Sequence, residues 1–172
     1  IFVRGGATRQ AALKNSLCEV DSEYVLVSDI ARSCVSDEFL KEIVSHIGKS
    51  DCVVPYLRVN DTVVYDEATI DRDKVKIIQT PQLSRTCVLK SALEQDREFT
   101  DESSAIVANG GTREFILGDI NANKITHISD LKKIPCLLPP SNDTLSGVGF
   151  DVHAFDDKGD MYLGGVKIDS NY

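Results

Sequence analysis

The sequence predicts an α/β domain with a largely parallel sheet, then a linker and the opening hairpin of a second domain. Three observations lead there. Short apolar runs alternate with stretches of helical period, and IPCLLPPSNDTLS (134–146) interrupts both with three prolines. A glycine-spaced apolar segment then restarts the pattern.

The elements follow in order. EYVLVSD (23–29) has a short apolar centre, as in a strand covered on both sheet faces. SDEFLKEIVSHIG (36–48) places Phe39, Leu40, Ile43, Val44 and Ile47 on one helical face, with Ser36 as N-cap and Gly48 as the stop. DCVVPYL (51–57) reads as a strand whose proline marks an edge or a bend. Residues 58–82 read as an excursion, TVVY out and KVKIIQ back. An isolated hairpin is marginal in water, so this arm is expected to pack on something, such as a second subunit. Helices at 84–95 and 102–109 follow, the second closed by Gly110-Gly111, and then strand REFILGD (113–119). GVGFDVH (147–153) and MYLGGVKI (161–168) form the last hairpin. The domain boundaries fall at 1–133, 134–146 (linker) and 147–172.

Composition narrows the class. A chain of 172 residues can bury one core with a short appendage. Its net charge of −8 argues against coating nucleic acid or lying on a membrane surface, while a few basic side chains can still gather around a phosphate. No apolar run reaches the length of a membrane span. The five cysteines are odd in number and never form CxxC, which predicts buried or free thiols in a reducing cytoplasm over a disulfide framework or zinc site. The chain opens on Ile1 without a secretory pattern, so it is expected to start inside a longer protein.

Several residues stand where chemistry is possible. Asp29 ends an apolar strand, with Arg32 three residues on, at the position where open α/β sheets bind ligands. Spacing alone fits a turn-capping role equally well. Thr100 and Asp101 precede a helix; an N-cap is the stronger reading, and a phosphate-facing terminus uses the same geometry. Lys124, Thr62 and Arg72 are unremarkable singly. The glycine pairs in RGGAT and NGGT fit no phosphate-loop motif and read as turns. Asp151 and His153, two apart on an extended stretch, share one face and suit a metal.

Taken together in order, GGATRQAAL, VLVSDIAR, NDTVVY, IDRDKVKIIQTPQ, FTDESSAIVANGG and NKITHISDL resemble the 2-C-methyl-D-erythritol 4-phosphate cytidylyltransferase family over about residues 4–133. GVGFDVHAF and YLGGVKI resemble the start of the 2-C-methyl-D-erythritol 2,4-cyclodiphosphate synthase family. The two occur fused in this order in some bacteria. The resemblance implies a Rossmann-like nucleotidyltransferase sheet with a protruding β-arm, lacking its N-terminal part, and then the first hairpin of an α+β cyclase. It implies a cytoplasmic, multifunctional enzyme of isoprenoid precursor synthesis, transferase and lyase in one parent. The transferase would use CTP, methylerythritol phosphate and Mg²⁺.

By the same resemblance, Asp29, Thr100 and Lys124 meet the sugar phosphate, and Thr62, Arg72 and Thr80, on or beside the arm, reach across into a partner's site within a homodimer. Arg32 is a scaffold or secondary contact. Gly6, Ala7 and Ala12 lie on the nucleotide side, although the family carries an acidic residue and a serine where Ala7 and Ala12 stand. Ile30 replaces a small residue in SDIAR. The family's glycine-rich CTP loop and its lysine are not in residues 1–172, so about the first third of that domain is expected to be missing and the isolated piece inactive. Asp151 and His153 match two ligands of the cyclase's zinc, the third lying beyond Tyr172. The full-length fusion is expected to form a higher assembly. The alternative is a non-catalytic unit that keeps only an arm-mediated dimer surface.

Overall fold

Thr8 opens the first helix, α1 (Arg9–Leu17), by accepting a hydrogen bond from the Ala11 amide. The structure is a computed structural model that describes residues 1–136, 144, 146–150, 161–163 and 166–168. The chain separates into two compact units, residues 1–138 and 139–172.

In the first unit, β1 (Tyr24–Val27) leads to α2 (Asp37–Ser45), and Ser36 caps α2 as the sequence expects. Only Phe39 and Ile43 of its apolar face are buried, while Val44 and Ile47 remain exposed. β2 (Cys52–Arg58) follows. The arm is β3 (Val63–Tyr65) paired with β4 (Ala68–Ile70) through Asp66 and Glu67, both at positive φ. A two-residue turn with positive φ at both positions matches the twist of the hairpin strands. The expected return strand KVKIIQ is therefore not the arm's second strand: β5 (Lys76–Ile78) rejoins the main sheet beside β2. β6 (Gln82–Arg85), α3 (Thr86–Ala92), α4 (Glu102–Ala108) and β7 (Arg113–Leu117) complete the unit.

The sheet is mixed rather than largely parallel. β2 and β7 pair in parallel, but β6 lies between β1 and β2, antiparallel to both, and β5 is antiparallel to β2. The helical crossovers keep β1, β2 and β7 in one direction. The chain returning from the arm inserts the reversed strands, which the helix–strand alternation does not reveal. Pro55 is fully buried in central β2, not on an edge. It stands where the antiparallel partner changes from β6 (opposite Cys52 and Val53) to β5 (opposite Tyr56 to Arg58), so the missing N–H costs no ladder bond.

Strand alternation in β2 divides the core. Cys52 and Val54 pack with Leu17, Leu89, Leu93 and Ile106, whereas Val53 packs with Phe39, Ile43, Leu83 and Ile116 on the other face. The thiol expectation fails at one pair: Cys34 and Cys136 form a disulfide with Cα atoms 5.5 Å apart, while Cys18, Cys52 and Cys87 are free. The fold brings two residues 102 positions apart to one place, which spacing along the chain does not show. Burial pushes the Cys52 thiol up to about 12, so it is an inert core group.

Gln79, also buried, fixes the turn after β7. Its Nε2 donates to the Asp119 carbonyl (2.9 Å) and its Oε1 accepts from the Asp119 amide (3.0 Å). A Cβ on Gly118 would lie 2.0 Å from that Oε1. Gly118→Ala is therefore expected to destabilise the protein by about 1–3 kcal/mol, read as a lower urea midpoint; an unchanged midpoint would show that the turn yields freely.

In the second unit, β8 (Met161–Leu163) and β9 (Val166–Ile168) form an antiparallel hairpin inside MYLGGVKI. Residues 147–150 are not in a strand, and Asp151 and His153 lie outside the described residues, as does most of the 134–146 linker.

Candidate functional site

Continuing the β1–β6 register two residues past the Val27–Gln82 pair sets Asp29 beside Thr80. The side chains confirm the meeting: Thr80 Oγ1 accepts from the Asp29 amide (3.2 Å) and from Arg32 Nε (3.2 Å), and donates to Asp29 Oδ2 (3.4 Å). Thr80 is buried in its own chain's cluster, so it does not reach from the arm toward a partner. The antiparallel register, hidden from the sequence, is the reason.

Lys124 arrives from another part of the chain. Residues 31–33 and 123–125 lie side by side: Ile125 N donates to Ala31 O (2.8 Å), Ser33 N donates to Asn123 O (3.1 Å), and Arg32 and Lys124 form an antiparallel bridge. Lys124 Nζ thereby stands 3.0 Å from Asp29 Oδ2. Arg32 also donates to carbonyls, from Nη1 to Ala122 (3.0 Å) and from Nη2 to Ile78 (3.3 Å), and so braces the strap that presents Lys124.

Partial burial works against the charged form of Asp29. The hydrogen bond and charge of Lys124, with Arg9 and Arg32 adding to them, outweigh this and hold its carboxyl below the usual range. Arg9, which the sequence reading left unassigned, approaches Asp29 Oδ1 (3.6 Å) and Glu102 Oε1 (2.7 Å). It is the second arginine of RGGATR, and a lone arginine at a helix start carries no motif. Gly6 packs tightly there, since a Cβ would meet Ala11 Cβ at 2.5 Å; Ala7 is exposed and Ala12 half-buried.

Asp101, not Thr100, caps α4. It accepts from the Ser104 amide (3.1 Å), Ser103 Oγ (2.6 Å) and Ser104 Oγ (2.7 Å). Burial opposes its charge, but these serine donors hold its carboxyl low. Thr100 is exposed beside this cap and outside the Asp29 cluster, to which its helix is joined by Glu102 and Arg9.

The arm residues stand apart from the cluster within one chain. Thr62 is exposed, and Arg72 donates to the Asn60 carbonyl. Arg72 lines an open hollow of ≈ 480 Å³ at the base of the arm, with Tyr56, Arg58, Asn60 and Asp73. Among the described residues, no group of three or more His, Cys, Asp or Glu side chains is placed to hold a metal ion. Nor, among them, is any helix long and apolar enough to cross a membrane.

Comparison with known proteins adds to this geometry. A family model described as IspD: 2-C-methyl-D-erythritol 4-phosphate cytidylyltransferase matches residues 1–138. The "Bifunctional enzyme IspD/IspF" of Sulfurimonas denitrificans is 72% identical over 99% of this chain and 44% of its own length. That of Campylobacter curvus is 51% identical over 99% of this chain and 46% of its length. The chain thus spans less than half the length of these curated relatives. Among solved structures, the bifunctional IspDF from Campylobacter jejuni aligns with a TM-score of 0.75 at 47% identity, covering 78% of this chain and 36% of that one. The 2-C-methyl-D-erythritol 4-phosphate cytidylyltransferase from Thermus thermophilus aligns with a TM-score of 0.73 at 31% identity, covering 78% and 71%.

Proposed function

Because this chain belongs to the 2-C-methyl-D-erythritol 4-phosphate cytidylyltransferase family, we propose that residues 1–138 supply the sugar-phosphate side of such a transferase within a longer bifunctional protein. In this reading the 4-phosphate oxygen of methylerythritol phosphate attacks the α-phosphorus of CTP. One P–O bond forms as the bond to the leaving pyrophosphate breaks, giving 4-diphosphocytidyl-2-C-methyl-D-erythritol, an isoprenoid precursor. The protein need only hold two polyanions together and offset the charge of the transferring group.

The Asp29–Lys124 pair, assembled from residues 95 positions apart, is the observation that supports this most. A carboxylate accepts from sugar hydroxyls and repels phosphate, while the lysine attracts it, so the pair orients a phosphorylated polyol end to end. Thr80 and Arg32 hold the pair in place. Thr62 and Arg72, exposed on the arm, suit a site completed by a second copy of the chain, and a homodimer follows in this reading.

Mg²⁺ belongs to the triphosphate here and not to the described residues, since both Asp29 oxygens already face cations and Glu102 faces Arg9. When bound, it neutralises phosphate charge. Zinc is assigned to Asp151 and His153 of the cyclase portion, with a third ligand further along the parent. In the full-length protein, pyrophosphate release should require both CTP and the sugar phosphate, and release independent of the sugar phosphate would overturn the proposal. Isolated residues 1–172 should release none. The second reading, a non-catalytic unit with a dimer surface, draws on exposed Val64, Tyr65 and Ile77 on and beside the arm. Dimerisation without turnover in the full-length protein would favour it.

A further inference from the structure

Glu102 presents a problem that the proposed reaction does not solve. Its side chain is fully buried, and among the described residues neither carboxylate oxygen has a hydrogen-bond partner. Arg9 Nη1, 2.7 Å from Oε1, is the cation that faces it. An ion pair of this kind is poor value for stability, because burying the carboxylate offsets most of the attraction. The other end of Arg9 suggests what the pair achieves: Nη2 faces Asp29 Oδ1 at 3.6 Å.

The four charges form a row, Glu102–Arg9–Asp29–Lys124, drawn from four separate parts of the fold. Asp29 is held from both sides, with Oδ1 toward Arg9 and Oδ2 toward Lys124 and Thr80. The two cations are about equally exposed, 43% for Arg9 and 45% for Lys124, and differ in what holds them: Lys124 is a flexible ammonium, whereas Arg9 also faces a carboxylate that is fully buried.

We propose that Arg9 is a positioning residue for the sugar-phosphate site: it keeps Asp29 ionised and oriented when Lys124 leaves it for the substrate phosphate, and Glu102 is its anchor. This rests on the reading of Asp29 and Lys124 given above. Without Arg9, the departure of Lys124 would leave Asp29 with Arg32 as its remaining nearby cation, and Arg32 is committed to Thr80 and two carbonyls. A carboxylate so placed would take up a proton more readily and lose its hold on the hydroxyls.

The test compares Arg9→Met, Arg9→Lys, Glu102→Gln and the double variant R9M/E102Q in the full-length protein, with kinetics in each substrate and thermal midpoints. Arg9→Met should raise the KM for the sugar phosphate roughly ten- to hundredfold and leave that for CTP nearly unchanged. The acidic limb of kcat/KM for the sugar phosphate should move to higher pH. Arg9→Lys should restore part of the loss. The double variant removes the unpaired buried charge, so it should recover thermal stability and keep the raised KM. If the double variant recovers both, Arg9 merely neutralises Glu102 and the inference fails. It also fails if the CTP KM is the one that rises. Asp29→Asn separates this from the underlying reading: if that variant leaves the sugar-phosphate KM unchanged, the site itself has been misassigned.

Discussion

Lys124→Ala should lower kcat/KM for the sugar phosphate by an amount equivalent to about 2–5 kcal/mol, roughly thirtyfold to a few thousandfold. The loss should fall on the sugar phosphate's KM and on kcat, with the KM for CTP little changed. Two features set this scale. The ammonium sits 3.0 Å from Asp29 in a cluster built from distant segments, so its place is specified and not incidental. It is also 45% exposed, so the variant should keep its fold and its thermal midpoint. Lys124→Arg should recover little, because a planar fork cannot follow the same path between Asp29 and a phosphate. Sugar-phosphate dependence indistinguishable from wild type would remove Lys124, and with it the orientation argument, from the proposed mechanism.

Arg72 should show a comparable loss for a different reason. In a single chain it is exposed and its side chain donates to the Asn60 carbonyl, so Arg72→Lys should scarcely affect folding. Turnover of the full-length protein should nonetheless fall about tenfold or more, because lysine cannot reproduce a bidentate grip on phosphate. Subunit mixing makes the point decisive. Arg72→Ala and Lys124→Ala proteins, each nearly inactive, should regain about a quarter of wild-type activity when allowed to form hybrid dimers at random. Half of such dimers are hybrids, and each hybrid carries one site with both residues intact. Absence of recovery in demonstrated hybrids would place Arg72 and Lys124 in the same site of one chain, or Arg72 in none.

The sequence disclosed local features well and return paths badly. Ser36, the apolar run of β1 and the glycines after α4 announced their elements because caps, runs and stops act within a few residues, but β1 ends the strand order with Leu26 exposed and is not covered on both faces. The reversal of β5 and β6 was not legible, since a strand has the same pattern in either direction. That one omission concealed Thr80's place beside Asp29 and left an edge open for Pro55, which the sheet order excludes. Asp29, Thr80 and Lys124 were named through family likeness and not through spacing; only the folded chain shows that they touch. Arg9 and Gln79 were passed over because a lone arginine at a helix start and a glutamine before TPQ carry no motif of their own. Cys34 and Cys136 were misread for a related reason, as pairing depends on a meeting across the whole unit.

The Gln79 brace bears on how the protein answers to acidity. Ala122, whose carbonyl Gln79 Nε2 also approaches (3.4 Å), lies two residues before Lys124. A carboxamide neither gains nor loses a proton across the range in which carboxylates do, so this side of the lysine's mounting does not titrate along with the charge it faces. The other side does: Asp130 accepts from the Thr126 and His127 amides just past Lys124, and those donors hold its carboxyl low, so acid should free the chain after the lysine before it frees the chain ahead of it.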